Sequence, residues 1–184
     1  MERLPAGGAR EGERHRLFCA LLLPDAAVAA LVAWQARALT GCRPVDPGQL
    51  HLTLAYLGER PAADLPAIAA ALRQAVGRPG PLLLRCRDYR ETRSVAMLTF
   101  DDVGLHATAL ATRLHDRLAA LGLYEREARP WLPHVTVGRF RTPPGLRPAP
   151  PALEVMPSDA AVFISRLRPT GAVHESVETV ALGG

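Results

Sequence analysis

Two short stretches of this chain alternate polar and apolar residues in the same way, and they restrict its fold more than any other feature. His51-Leu52-Thr53-Leu54 and His134-Val135-Thr136-Val137 both carry apolar residues at the second and fourth positions. A period of two marks a half-buried β-strand, because successive side chains point to opposite faces. Leu50, Leu52 and Leu54 are therefore expected on a core face, with His51 and Thr53 together on the other. Val135 and Val137 likewise face the core, and His134 and Thr136 project together. Six histidines and ten threonines in 184 residues would supply only about 0.08 such tetrads by chance.

A third match tests the reading. His106-Ala107-Thr108-Ala109 fits the bare pattern. It falls in a segment whose leucines, at 105, 110, 114, 118 and 121, follow helical spacing. On a helix, residues i and i+2 diverge by about 200°, so His106 and Thr108 share no face. This match is read as accidental.

The rest of the chain alternates strands and helices. Residues 16–23 read as a buried strand ended by Pro24. Asp25 is placed to cap a helix reaching Leu39, with Val28, Leu31, Val32 and Leu39 on its packed face. Residues 44–48 read as a loop and 50–57 as a strand closed by Gly58. A helix is expected over 62–76 and a turn at Pro79-Gly80-Pro81. Residues 82–89 and 95–100 read as strands, 105–121 as a helix, and 131–140 as containing a strand. Residues 142–151 hold five prolines and read as irregular. Strands over 161–167 and 176–182 complete an α+β pattern of helices against mostly antiparallel sheet, in two halves. Each half has a helix leading into a strand that begins with His. Residues 1–14 read as a loose tail, with 15–184 forming a single domain.

Composition narrows the chemistry. All 22 basic residues are arginine and none is lysine. Schiff-base, P-loop-lysine and lysyl-adenylate ligase chemistry are thereby excluded. The net charge of +4 allows an anionic ligand. Cys19, Cys42 and Cys86 are odd in number and lack metal-knuckle spacing, so three unpaired thiols in a reducing cytoplasm are expected. The apolar run 17–23 is too short for a membrane span, and three glutamates precede it, against a signal peptide.

Two imidazoles facing one cleft suit general acid–base work near neutrality, and either could act as acid or base. The threonine hydroxyls are donors matched to phosphate oxygens. Together they would serve in-line displacement at phosphorus. A zinc site would need a third protein ligand, and none is evident, so no metal is expected. His15 is assigned to the tail, His115 to a helix surface, and His174 to a turn over residues 169–173 as a structural or rim residue. The arginines at 85, 87, 90, 93, 126, 129, 139 and 141 leave open a non-catalytic RNA-binding module.

The chain resembles the two-histidine phosphoesterases, and within them the bacterial and archaeal RNA 2′,3′-cyclic phosphodiesterases once called 2′-5′ RNA ligases. The likeness covers about residues 15–182. It rests on residues 49–58, QLHLTLAYLG, and 129–139, RPWLPHVTVGR, with support from 15–21, HRLFCAL, and 162–165, VFIS. The resemblance implies a bilobal fold of two pseudo-symmetric lobes around a central cleft, no metal and no nucleotide cofactor. It implies hydrolysis of a terminal 2′,3′-cyclic phosphate to a 2′-phosphomonoester, with His51 as proton donor to the leaving 3′-oxygen and His134 as acceptor from water. Thr53 and Thr136 match phosphate-holding hydroxyls, and Arg139 matches a basic position after the second motif. Phe18 and Tyr56 are carried over as substrate-binding residues. The expected partner is RNA with a cyclic phosphate end, acted on by a cytoplasmic monomer. A sibling activity on ADP-ribose 1″,2″-cyclic phosphate or other small cyclic nucleotides is the alternative.

Overall fold

The computed structural model describes residues 13–77, 80–168 and 171–182. Nine strands form one curled sheet in which every pairing is antiparallel. They are β1 (Arg14–Leu22), β2 (Arg43–Pro44), β3 (His51–Pro61), β4 (Leu83–Glu91), β5 (Val95–Val103), β6 (His134–Arg139), β7 (Glu154–Val155), β8 (Asp159–Arg168) and β9 (Gly171–Ala181). The helices are α1 (Asp25–Ala38), α2 (Leu65–Val76) and α3 (His106–Ala120). Spatial order along the sheet is β7-β4-β5-β6-β3-β1-β8-β9, with β2 alongside β6.

The two halves are the two ends of this sheet. One is β7-β4-β5-β6 and the other β3-β1-β8-β9. They join where β3 and β6 pair at Leu52 and Val135, the residues between His and Thr in each motif. That register, extended one step each way, sets His51 across from Thr136 and Thr53 across from His134. Leu52, Val135 and Val137 are fully buried on the opposite face, and Leu54 nearly so.

β1 is buried on both faces, as its unbroken apolar run requires. Leu17, Cys19 and Leu21 join the main core beneath the helices. Phe18 and Ala20 join a small second cluster with Ala161 and Phe163. Helices α2 and α3 pack on each other, α2 also on β8 and β9, and α3 on β3 and β5.

Several local expectations are corrected. Asp25 is the first helical residue of α1, after Pro24, and makes no capping bond. The buried face of α1 is Ala27, Leu31, Trp34 and Gln35, with Val28 and Val32 only partly covered, because Gln35 turns inward for hydrogen bonds that no hydrophobic pattern reveals. Gly58 does not close β3: at φ +68° it lets the strand continue to Pro61. The helix ends retreat, leaving Leu105 and Leu121 exposed. The short strands β2 and β7 are too brief to leave a periodic signal. His15 belongs to β1, opposite Arg60. The rest of the expected tail, through residue 12, lies outside the described residues, as do parts of the turns at 79–81 and 169–173.

The proline-rich segment is irregular yet fastened. Trp34 Nε1 donates to the Ala149 carbonyl at 2.9 Å, and the Glu91 carboxylate accepts the N–H groups of Gly145 and Leu146.

Because Leu52 lies at the seam with no exposed surface, Leu52→Ala should cost about 2–5 kcal/mol of stability in urea denaturation. A loss under about 1 kcal/mol would mean the seam repacks freely.

Candidate active site

The four motif side chains come to one face of the sheet at the seam, as alternation requires. The two histidines are held alike. His51 Nδ1 lies 2.8 Å from the Gln49 carbonyl and His134 Nδ1 lies 2.9 Å from the Leu132 carbonyl, each two residues upstream. A carbonyl can only accept, so Nδ1 carries the hydrogen in both rings and Nε2 is the nitrogen free for chemistry. Among the described residues, neither Thr53 nor Thr136 has a protein partner for its hydroxyl.

The surroundings of the two rings differ. His51 stacks on Phe18, ring centroids 4.9 Å apart, with Phe163 beyond and His174 edge-on at 5.5 Å. Burial pushes its pKa down to about 4; His174, His134 and Arg139 also oppose its protonation, while the Gln49 carbonyl partly offsets them. His134 instead borders an open groove of about 670 Å³, which runs past Thr53, Tyr56 and Trp131 to Arg126 and Arg129.

Arg139 makes no ion pair among the described residues and acts electrostatically on both His51 and His174. Tyr56 is 56% exposed. Phe18, expected to bind substrate, is instead only 4% exposed and gives its face to His51, so it supports the imidazole. His174 is corrected from a turn to β9, where its ring meets both Phe18 and His51. Its Nδ1 is buried without a partner. His115 is corrected from surface to core: it is 9% exposed, and its Nε2 bonds to the Leu54 carbonyl at 2.7 Å.

His106 opens α3, where Asp102 accepts from the backbone of Ala107 and from both the backbone and hydroxyl of Thr108. That match is a helix start, remote in kind from the two strands. Five of the arginines that suggested a binding module, at 85, 87, 90, 126 and 129, are paired with carboxylates. The cysteines are free, and burial raises Cys19 to about 12 and Cys86 to about 11, which makes poor nucleophiles of both. No group of three or more potential metal ligands occurs among the described residues.

Comparison with known proteins agrees with this geometry. The family model described as the 2′-5′ RNA ligase superfamily matches residues 23–170. The chain belongs to that superfamily. Its members here are two-histidine phosphoesterases, and as one of them the chain is a phosphodiester hydrolase. A Thermus thermophilus protein named RNA 2′,3′-cyclic phosphodiesterase is 34% identical over 181 residues, covering 92% of this chain and 91% of the relative. A solved structure of a protein from Thermus thermophilus superposes with a TM-score of 0.80 at 32% identity, covering 92% of this chain and 98% of that one. E. coli LigT complexed with 3′-AMP gives 0.82 at 25% identity, covering 94% and 100%. No helix among the described residues is long and apolar enough to cross a membrane.

The depressed pKa of His51 has a consequence for stability. The unfolded chain takes up this proton near 6.5 and the folded one only near 4. Between those values the unfolded state binds more protons, so stability falls as pH drops and the loss is complete near 4. Between pH 7 and 5 this should amount to about 1–2 kcal/mol, and His51→Gln should remove much of it. An unchanged pH slope in urea titrations of His51→Gln would show that the ring is not held neutral.

Proposed function

We propose that the protein hydrolyses the 2′,3′-cyclic phosphate at the end of an RNA to a 2′-phosphomonoester, using His51 and His134 as acid and base without a metal. The observation that carries this is the matched pair of His-x-Thr strands, each imidazole tied through Nδ1 so that Nε2 is left for proton transfer.

The reaction follows from the groups present. Thr53, Thr136 and Arg139 hold the phosphate oxygens and reduce their negative charge. His134 Nε2 takes a proton from water as its oxygen bonds to phosphorus. The bond to the 3′-oxygen breaks, and that oxygen receives the proton carried by His51 Nε2. The 2′-oxygen keeps the phosphate. Solvent then returns the two rings to their starting states. His51 is hard to protonate in the empty cleft. Burial is the main cause of that depression; an anionic phosphate beside the ring favours its charged form and offsets it, so His51 takes up its proton with the substrate in place.

RNA as the substrate class is supported by the name of the Thermus relative and by the groove. At about 670 Å³ the groove offers far more room than a phosphate needs. The exposed ring of Tyr56 is a surface for the terminal nucleoside. The donor set supports a metal-free reading, since it offers no ligand cluster among the described residues. Three unpaired thiols suit a cytoplasmic setting. All the proposed groups come from one chain, so a monomer suffices.

The decisive assay is product analysis on a cyclic-ended oligonucleotide with EDTA present, with a cyclic mononucleotide and ADP-ribose 1″,2″-cyclic phosphate as comparison substrates. A 2′-phosphate product at an undiminished rate is expected; abolition by EDTA and rescue by zinc or manganese would overturn the mechanism. His51→Ala and His134→Ala should each lose at least about 10²-fold in kcat, while His106→Ala stays near wild type. Thr53→Val and Thr136→Val should each cost up to about 10²-fold. The pH profile should be a bell whose limbs belong to the coupled pair. Both limbs should lie higher in kcat than in kcat/KM, because bound phosphate favours the proton on His51.

A further inference from the structure

The two motif strands are alike beyond their tetrads. In β3, ladder partners jump from Cys19↔Ala55 to Ala20↔Thr53, which leaves Leu54 as an extra, unpaired residue. In β6, they jump from Ala96↔Gly138 to Met97↔Thr136, which leaves Val137. Each strand thus has a β-bulge at the same place, three residues after its histidine. A bulge shifts the side-chain alternation by one. Both strands accordingly run half-buried, buried, half-buried, buried, buried, exposed from the histidine onward.

Strict alternation would send Tyr56 to the core face with Leu52 and Leu54, and Arg139 there with Val135 and Val137. The bulges return both to the face of the catalytic histidines. They also bury two consecutive residues, and those at the fourth place after His are small, Ala55 and Gly138. At Gly138 a methyl group would meet Leu39 and Cys42 at 3.3 Å.

A bulge leaves a carbonyl outside the ladder, and burial makes that costly unless something bonds to it. The Leu54 carbonyl accepts from His115 Nε2 of α3 at 2.7 Å. The Val137 carbonyl accepts from Gln35 Nε2 of α1, also at 2.7 Å, and from the Val45 backbone. The same Gln35 amide nitrogen also donates to the Val45 carbonyl. Apart from Thr99, Gln35 and His115 are the buried polar side chains among the described residues.

We propose that Gln35 and His115 are positioning residues for substrate binding: each holds the bulge that turns Arg139 or Tyr56 onto the catalytic face. Neither reaches the substrate. The histidines and threonines lie before the bulges, so proton transfer is spared and substrate grip is what depends on them.

The inference rests on the reading of the cleft as a cyclic-phosphodiesterase site, and the test separates the two. It uses the full-length protein and a short RNA ending in a 2′,3′-cyclic phosphate. Gln35→Met and His115→Leu remove the donor with little change in bulk, whereas His115→Gln keeps one. The donor-less variants should raise KM about tenfold; His115→Leu should keep kcat within about twofold of wild type, whereas Gln35→Met, which acts through Arg139, should lower kcat no further than Arg139→Ala does. His115→Gln should recover most of the loss. Gln35→Met combined with Arg139→Ala should be no worse than Arg139→Ala alone, and His115→Leu with Tyr56→Ala no worse than Tyr56→Ala alone. Losses that add in the combined variants, or a lowered melting temperature with KM unchanged, would overturn the proposal.

Should a donor-less variant fail to fold, wild-type protein supplies the readout. Nuclear magnetic resonance signals of the Gln35 amide and the His115 ring should shift when 2′,3′-cyclic AMP saturates the cleft; signals that stay in place would overturn the proposal. If the wild type binds that nucleotide but hydrolyses no cyclic phosphate, the proposed activity fails. The same variants then report the positioning role through their dissociation constants.

Discussion

The site depends on a single point of strand pairing. β3 and β6 meet at Leu52 and Val135, and this contact joins the two ends of the sheet. Because these residues separate His from Thr in each motif, their burial places both His-Thr pairs on the opposite face. A shift of one residue at the seam would send the histidines into the core and the leucines into the cleft. The hydrophobic effect therefore sets the position of the chemistry: Leu52 and Val135 have no exposed surface, and every group proposed to touch phosphate lies within four residues of one of them.

Outward from the seam, the hydrogen bonds of the two motifs repeat. Each histidine uses Nδ1 on a carbonyl two residues back, and each bulge carbonyl three residues on is capped by a buried side chain from a helix. The sheet supplies the spacing; His115 supplies a donor to the Leu54 carbonyl, and Gln35 adds a second donor to the Val137 carbonyl beside the Val45 N–H. Such bonds matter most in the interior, where an unpaired carbonyl has no water to turn to.

The tetrads themselves are legible in sequence because their alternation is short, strict and duplicated. Helices α2 and α3 are legible from leucine and alanine spacing. Other features leave no periodic trace. Nothing in Leu54-Ala55 or Val137-Gly138 announces a bulge, apart from a small residue after a branched one. Tyr56 and Arg139 enter by resemblance, and simple alternation would place both in the core. A lone glutamine on α1 gives no sign of burial until its two carbonyl partners, Val45 and Val137, are known. His115 reads the same way. His174 reads as a turn residue because contact between β9 and β1 across β8 is a product of sheet curvature, which no local pattern encodes.

The aromatic floor beneath His51 has a further consequence. The frame treats the two motifs as equivalents, yet one imidazole rests on Phe18 with Phe163 behind it, and the other stands at the rim of an open groove. A symmetric scaffold gives no reason for a proton to travel one way across the phosphate. The unequal surroundings of the two rings break that symmetry, and in the proposed reaction they are what tells one ring from the other. In the proposed reaction, exchanging those surroundings with both motifs untouched would exchange the roles of the two rings.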